Sequence, residues 1–267
     1  MRIRFIGLIL VTLALLAISP SLHPQNSTKP TPDASGAIPD LSGSWSPHRP
    51  VPVTAENALC GIRTVCNDLL GQSAGPSVVK SDEIQMQPWA EEKYRAVKEG
   101  KIRDPNFAGC MPQSPVDLLV DNRRLFELRQ FPDEVLLLFD QDHWVRRIYL
   151  DGRGHPDGYS STWMGHSTGR YEGETLVVDT IGFNDKNWLD RDGHPHSDAL
   201  HIVERFRRVN PKAMEYQFTV EDPKAYKKPW TGKMVEDLLP PTTEILEGTL
   251  CDEILQLGTH YSAKSNK

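Results

Sequence analysis

The sequence has no excess of basic residues. It carries 30 Lys and Arg against 36 Asp and Glu, for a formal net charge of -6 at pH 7. Proteins that bind nucleic acids usually present clustered positive charge to the phosphate backbone. An acidic chain is therefore expected to bind no nucleic acid.

The common catalytic signatures are also missing. The sequence has no P-loop, no HExxH zinc motif, no dinucleotide fingerprint and no nucleophile elbow of the GxSxG type. Residues 165–169, GHSTG, come nearest to the elbow. They are discounted because they lie between predicted strands, whereas an elbow turns from a strand into a helix. We expect no cofactor.

No apolar run reaches the roughly 20 residues that a membrane-spanning helix needs. The longest, from Phe5 to Ile18, follows two arginines and precedes small and polar residues, which is the pattern of a secretory signal peptide. We predict a signal peptide over residues 1–24 and a flexible leader over residues 25–40. The protein is thus expected to be periplasmic or secreted, with no integral span after the signal is removed.

Cysteine is scarce, and no two cysteines form a CxxC pair, which argues against a thiolate metal site. The four cysteines all lie in the part predicted to be exported, where disulfides form and persist. We favour a small clasp between Cys60 and Cys66 and a bridge from Cys110 to Cys251, among the three possible pairings.

Strand–helix–strand alternation is absent, which argues against Rossmann and TIM-barrel folds. After about residue 123 the chain instead alternates apolar and polar residues between short, turn-rich connections, as half-buried strands do. Residues 214–221, MEYQFTVE, are the clearest example. We predict an all-β fold, an antiparallel meander of about eight to ten strands, closed as a barrel or folded as a sandwich. A barrel of that size is just wide enough to enclose one small ligand.

The exported chain is predicted to have three parts. Residues 41–122 form a loop-rich segment with one helix over residues 88–100, which begins at a proline and ends at a glycine. Residues 123–255 form the barrel, and residues 256–267 form a tail. The predicted strands cover residues 124–130, 133–140, 143–150, 164–171, 175–181, 200–209, 214–221, 230–236 and 243–251.

Three histidines, His194, His196 and His201, lie close together in the stretch NWLDRDGHPHSDALHIVERF. Neutral imidazoles bind zinc, copper and iron, so a metal site of these three is a minority interpretation. A solvent-facing hairpin is another, since Asp-Gly pairs favour turns. In an acid–base site, Asp190 would face His196 across the turn and orient it. The simplest alternative is that Asp190 and Ser197 only hydrogen-bond the turn backbone.

The predicted strand over residues 143–150 carries arginine on both faces, at Arg146 and Arg147. Arginines buried inside a barrel require acidic partners, and Glu127 or Glu204 on other strands can supply one. The strand therefore contributes either to a structural ion-pair network or to a site that anchors a polar group of a ligand.

Further candidate side chains lie on this strand and the next. An aromatic wall with a few polar groups is typical of small-molecule pockets. The ligand-binding candidates from this region are Arg147, Tyr149, Trp163, His166 and Arg170.

Residues 169–209, together with DPKAYKKPWTG at 222–232, are similar to a family of exported bacterial proteins of unassigned function with the signature EGxTLVVDTxGFNDKxWLDxxGxPHS. The similarity runs roughly from Asp40 to Cys251, except for one cysteine-containing loop. The pattern also resembles lipocalin-like barrels, which hold small hydrophobic molecules and sometimes isomerise or hydrate them. The resemblance thus implies a lipocalin-like form of the predicted barrel.

The resemblance also narrows the candidate site. It leaves His194 and His201 at unspecified positions, and so favours an acid–base site over a metal site of three histidines. Asn184 and Trp188 become candidates for binding the ligand. The matched positions are Asn184, Asp185, Trp188, Asp190, Pro195, His196 and Ser197. Among them, His196 with Asp190 or Asp185 forms the predicted catalytic group.

Two functional hypotheses carry equal weight. In the first, the protein is a metal-independent isomerase, hydratase, lyase or cyclase for a small, partly apolar or aromatic molecule. His196 is then the acid or base, Asp190 orients it, and Arg147 or Arg170 stabilises developing negative charge. In the second, the same barrel binds a hydrophobic molecule without converting it. A structural protein of the cell envelope is a third, lesser hypothesis.

Overall fold

The computed structural model describes residues 38–47, 84–103, 105, 111–120, 125–140, 142 and 144–245. The predicted signal peptide, the four cysteines, the tail and most of the last predicted strand lie outside these residues. The signal peptide and the disulfide pairing therefore stay predictions.

In the described part of the chain, nine strands form a closed barrel in which each strand pairs with its neighbours in the sequence and the first strand pairs with the last. This arrangement confirms the predicted all-β barrel and its number of strands. The strands are β1 (Gly43–Pro47), β2 (Phe126–Gln130), β3 (Glu134–Phe139), β4 (Val145–Tyr149), β5 (His166–Glu172), β6 (Thr175–Ile181), β7 (His201–Asn210), β8 (Ala213–Glu221) and β9 (Trp230–Leu238).

One pair of strands departs from the predicted antiparallel meander. β4 and β5 run parallel and pair at only two positions, Ile148 with Ser167 and Tyr149 with Thr168. Parallel neighbours need a long connection, because the chain must return to the end from which it started. Residues 150–165 provide that connection. The all-antiparallel prediction is therefore wrong at this place.

The sequence pattern also misses the first strand. β1 has 5 residues and includes a proline, which is too short for apolar alternation to be recognised. It closes the barrel because Trp45 pairs with Phe126 on one side and with Leu238 on the other. No strand covers residues 243–245, where the last predicted strand was expected to begin, since β1 takes the place beside β9.

Alternation along the strands fills the barrel with apolar side chains. In β8, Met214, Tyr216, Phe218 and Val220 are buried, as predicted, and the residues between them are partly exposed. Other strands add Trp45, Phe126, Leu128, Leu137, Phe139, Ile148, Leu176, Val178, Ile202 and Phe206. Because these side chains pack into one core across the described strands, a ligand site is expected in the barrel wall or at its ends.

A buried ion pair crosses this core. The guanidinium of Arg146 donates to Glu204 through Nη1, at 2.8 Å, and also through Nη2. It donates as well to Thr180 Oγ1 at 2.9 Å and to Ser167 Oγ at 3.2 Å. The Tyr216 hydroxyl donates to Glu204 at 2.9 Å. Glu204 is thus one of the two acidic partners predicted for a buried arginine.

Two helices accompany the barrel in the described residues. α1 (Pro88–Lys98) begins at the predicted proline and ends at Lys98 rather than at residue 100. The short α2 (Pro115–Val120) was not predicted. α1 packs on a loop of the barrel, where Tyr94 stacks on His194 with 4.7 Å between the ring centres. Among the described residues, neither helix is long and apolar enough to cross a bilayer.

Glu236 is a carboxyl on the inner face of β9, and it has no hydrogen-bond partner in the described part of the chain. Its side chain is fully buried. Burial raises the pKa of Glu236 well above the ordinary value, and the nearby charge of Asp237 adds to the effect. The folded state therefore favours the protonated carboxyl.

Glu236→Met is expected to stabilise the protein, and to do so more at pH 8 than at pH 5. A carboxyl whose pKa is raised by folding stabilises the folded protein fully at pH values below its pKa in the unfolded chain. This stabilisation is lost as the pH rises through its pKa in the folded protein. Methionine has a similar size and removes an unsatisfied buried group that costs about 1–3 kcal/mol. Urea unfolding at both pH values measures the gain, with the exposed Glu174→Met as control. The same gain at both pH values would contradict the prediction.

Candidate functional site

The predicted pairing of Asp190 with His196 is not found. Asp190 instead accepts hydrogen bonds from His194, from its backbone N–H at 3.2 Å and from Nδ1 at 2.6 Å. The chain turns tightly at Gly193, whose φ of +86° favours glycine. The N–H of Gly193 donates to the carbonyl of Asp190, so the turn brings His194 rather than His196 back to the carboxylate. Asp190 therefore bonds both the turn backbone and the side chain of His194, so the alternative that it bonds the backbone alone is not found either.

His196 is buried, and both of its ring nitrogens are engaged. Nε2 lies 2.8 Å from Oδ1 of Asn187, and Nδ1 lies 3.2 Å from the carbonyl oxygen of Ser197. Burial lowers the pKa of His196, which favours the neutral imidazole. Asp222 fixes the adjacent residue by accepting the N–H and the hydroxyl of Ser197. These contacts hold the loop on the barrel, and a catalytic role for His196 stays a prediction.

The three clustered histidines are engaged separately. His194 and His196 have the partners given above, and His201 lies on the barrel wall beside another carboxylate. The described residues with metal-ligand spacing are Asp190, Asp192 and His194, whose ligand atoms lie within 4.8 Å of one another. Lys98 donates to Asp192 at 3.0 Å, so an ammonium group already neutralises one of these carboxylates.

A cleft opens in the barrel wall between β4 and β5, where the two parallel strands pair at only two positions. Its volume is about 280 Å³. The lining includes Val145, Arg147, Tyr149, Tyr159, Met164 and His166. Three predicted ligand-binding residues, Arg147, Tyr149 and His166, therefore come together here. The cleft also reaches Arg146 and Ser167 of the buried network.

A hydrogen-bonded series leads from the outer wall of the barrel to this cleft. His155, in the β4–β5 connection, donates from Nε2 to Oδ1 of Asp179 at 2.9 Å. Its Nδ1 lies 2.8 Å from Nδ1 of His166, so one proton is shared between the two rings. In the described part of the chain, Nε2 of His166 has no hydrogen-bond partner. The series Asp179–His155–His166 thus ends on a ring that lines the cleft.

Aromatic rings pack around His166. Tyr149 stacks on it with 5.3 Å between ring centres, and Tyr159 meets it edge-on at 5.1 Å. The guanidinium of Arg153 lies over the ring of Tyr149, 3.9 Å from its centre. Burial lowers the pKa of His166, and the charges of His155 and Arg153 lower it further. The imidazole is therefore an unprotonated base near neutral pH.

The other candidate residues are not part of this cleft lining. Arg170 is exposed and pairs with Glu172 at 2.5 Å. Asn184 and Trp188 are buried, whereas Asp185 is exposed and Trp163 is partly buried. The part that these residues play in binding or catalysis stays a prediction.

Sequence analysis misses His155 and Asp179, although both leave a signal. His155 lies in DGRGHPDG within the long connection between β4 and β5, and long connections often carry functional residues. Asp179 interrupts the apolar strand TLVVDTI. A hydrogen bond joins the two positions, one in the β4–β5 connection and the other on β6, and the alternation pattern does not reveal this contact.

Comparison with known proteins identifies no relative of this chain. No family model matches the chain, and no similar protein was found among characterised proteins or solved structures. The resemblance to an exported bacterial family therefore rests on its signature alone. The closed barrel itself is present and is consistent with a lipocalin-like form.

Proposed function

We propose that this protein is an exported acid–base enzyme that binds a small, partly aromatic molecule in the cleft between β4 and β5. His166 takes a proton from the bound molecule and returns it at another position. The observation that carries the proposal is the series Asp179–His155–His166, which ends at an open cleft. Export is proposed from the apolar run near the first residues.

The series supports a base with a defined tautomer. Asp179 accepts the Nε2–H of His155, which leaves a lone pair on Nδ1 of the neutral ring. That lone pair accepts the Nδ1–H of His166, and the Nε2 of His166 is then free to take a proton. The imidazolium that forms keeps its bond to His155 and gains from the negative charge of Asp179, as in other carboxylate-backed histidines.

The lining favours a small substrate that is partly apolar and partly polar, because aromatic rings and polar side chains both face the cleft. Tyr149 and Tyr159 offer aromatic surface, and Met164 offers a polarizable thioether. The volume of about 280 Å³ is near the lower limit of small-molecule pockets, so the substrate is small. Arg147 presents a guanidinium at the cleft and pairs through Nε with Glu134 at 2.9 Å. Its remaining N–H groups can bind an oxygen that becomes negative as a proton leaves carbon. These properties suit isomerisation, hydration or cyclisation.

Hydrogen exchange tests this proposal before the natural substrate is identified. The native protein is incubated in D2O with a panel of small cyclic ketones, enones and phenols, and deuterium incorporation is followed by NMR. We expect faster exchange at a carbon next to a carbonyl with the wild type than with His166→Gln. Equal exchange rates with the two proteins would overturn the proposal.

Binding without conversion is the second candidate function, and the aromatic lining of the cleft favours it. A compound that broadens or shifts the resonances of Tyr149 and Tyr159, and that exchanges no hydrogen at any pH tested, would identify a binding protein. Thermal stabilisation by the same compound provides an independent measure of binding.

A further inference from the structure

Asp179 accepts hydrogen bonds from two imidazoles. Its Oδ1 accepts the Nε2–H of His155 at 2.9 Å, and its Oδ2 accepts the Nε2–H of His201 at 3.1 Å. His201 begins β7 on the outer wall, and its side chain is 32% exposed. The series that reaches the cleft therefore has a second histidine at its outer end, in contact with solvent.

We propose that Asp179 and His201 are positioning residues that set the proton affinity of His166, so that loss of the proton from His201 makes His166 a stronger base. The consequence for turnover rests on the proposed function. The linkage between the histidines, meaning the effect of protonation at His201 on proton binding at His166, rests only on the hydrogen bonds that join them.

The linkage follows from the sharing of one negative charge. A protonated His201 places a positive charge against the carboxylate that backs His155, and an imidazolium at His166 is stabilised by the same carboxylate. The two positive charges therefore oppose each other. When His201 becomes neutral, the full charge of Asp179 acts on the His155–His166 pair, and His166 binds its proton more tightly.

The position of His201 makes it responsive to pH. Its hydrogen bond to Asp179 raises the pKa of His201 despite partial burial, and Glu221 of β8, 3.4 Å from Nδ1, adds to the rise. The rings of His155, Tyr149 and Tyr159 contact His166, and the charge of Arg153 acts on it, all from β4 or the β4–β5 connection. Arg146 and Arg147 of β4 line the same cleft. Of these groups, only His155 and His201 form a hydrogen bond with the carboxylate of Asp179 in the described residues.

Histidine NMR tests the linkage in the intact protein without any substrate. The imidazole resonance of His166 is assigned by its loss in His166→Gln, and its titration midpoint is measured in each variant. We expect His201→Gln to raise the midpoint, with a change in proton affinity on the order of three- to tenfold. Asp179→Asn is expected to lower it. His201→Lys, which keeps a positive charge, should hold the midpoint at or below the wild-type value.

Arg207→Gln is the matched control, since it removes an exposed positive charge from the outer face of the same strand, β7, where Arg207 pairs with Glu215. A midpoint shift in His201→Gln no larger than in this control would overturn the linkage. Hydrogen exchange separates the two proposals. Exchange that does not depend on His166 removes the proposed function while the linkage stands, whereas unshifted midpoints with His166-dependent exchange remove the linkage alone.

Discussion

Arg146→Met is expected to lower the free energy of unfolding by about 3–5 kcal/mol, the cost of breaking a buried pair by removing one partner. The variant leaves the Glu204 carboxylate inside the barrel, where its side chain is fully buried. The Tyr216 hydroxyl still donates to it. One neutral donor does not replace a guanidinium that binds both carboxylate oxygens, so the remaining charge is poorly compensated.

The double variant Arg146→Met/Glu204→Met is expected to recover most of this loss. It removes both charges together and keeps apolar volume in the core, a change that is often neutral or stabilising. Ser167 and Thr180 lose the guanidinium but still bond each other at 3.0 Å. Recovery stays incomplete, because the Tyr216 hydroxyl loses its acceptor.

Urea unfolding of the single and double variants measures these differences. Arg170→Met is the control, because it breaks an exposed pair with Glu172 and should cost at most about 1 kcal/mol. A loss below about 1 kcal/mol for Arg146→Met would mean that water reaches Glu204 in the barrel, and it would contradict the buried network.

The barrel can be predicted from the sequence because its information is local. Met214, Tyr216, Phe218 and Val220 repeat every second residue, and this spacing alone places them on one face of β8. The alternation does not give strand direction. A parallel pair and an antiparallel pair bury the same alternate residues, so the pattern does not show that β4 and β5 run parallel. The length of the connection does not show it either, because the longer β6–β7 connection joins antiparallel strands.

The candidate site is predicted less completely, because its residues come together through contacts between distant parts of the chain. Arg147, Tyr149 and His166 were selected for their chemistry on two predicted strands, and the cleft brings them together. His155 and Asp179 have no recognisable relation in the sequence, being 24 positions apart. The predicted pairing of Asp190 with His196 assumes that these two residues lie opposite each other across the turn. The backbone conformation at Gly193 instead places His194 beside Asp190.

The parallel pair links the fold to the proposed site. Antiparallel neighbours such as β7 and β8 pair along most of their length and leave no gap in the wall. The two-position contact of β4 and β5 leaves an opening, and the connection between these strands brings Tyr159 to its lining. The same connection brings His155 to His166. One departure from the meander thus creates both the cleft and part of its lining.

His166→Gln is expected to reduce turnover of a converted substrate by about 10²–10⁴-fold, the range for loss of a general acid or base. Glutamine preserves size and hydrogen bonding but has no nitrogen that takes a proton. Because the pKa of His166 is lowered, the neutral ring is the active form, so the wild-type rate should fall as the pH drops through that pKa. Initial rates between pH 4 and pH 8 measure both effects.

Two companion variants decide between the possible sites. His155→Gln should reduce turnover less than His166→Gln and shift the pH profile, because the base remains while its tautomer is no longer fixed. His196→Gln should keep turnover within a few-fold of the wild type if thermal unfolding shows an intact fold. A large loss in His196→Gln with none in His166→Gln would instead place the chemistry in the loop that holds His196 against Asn187.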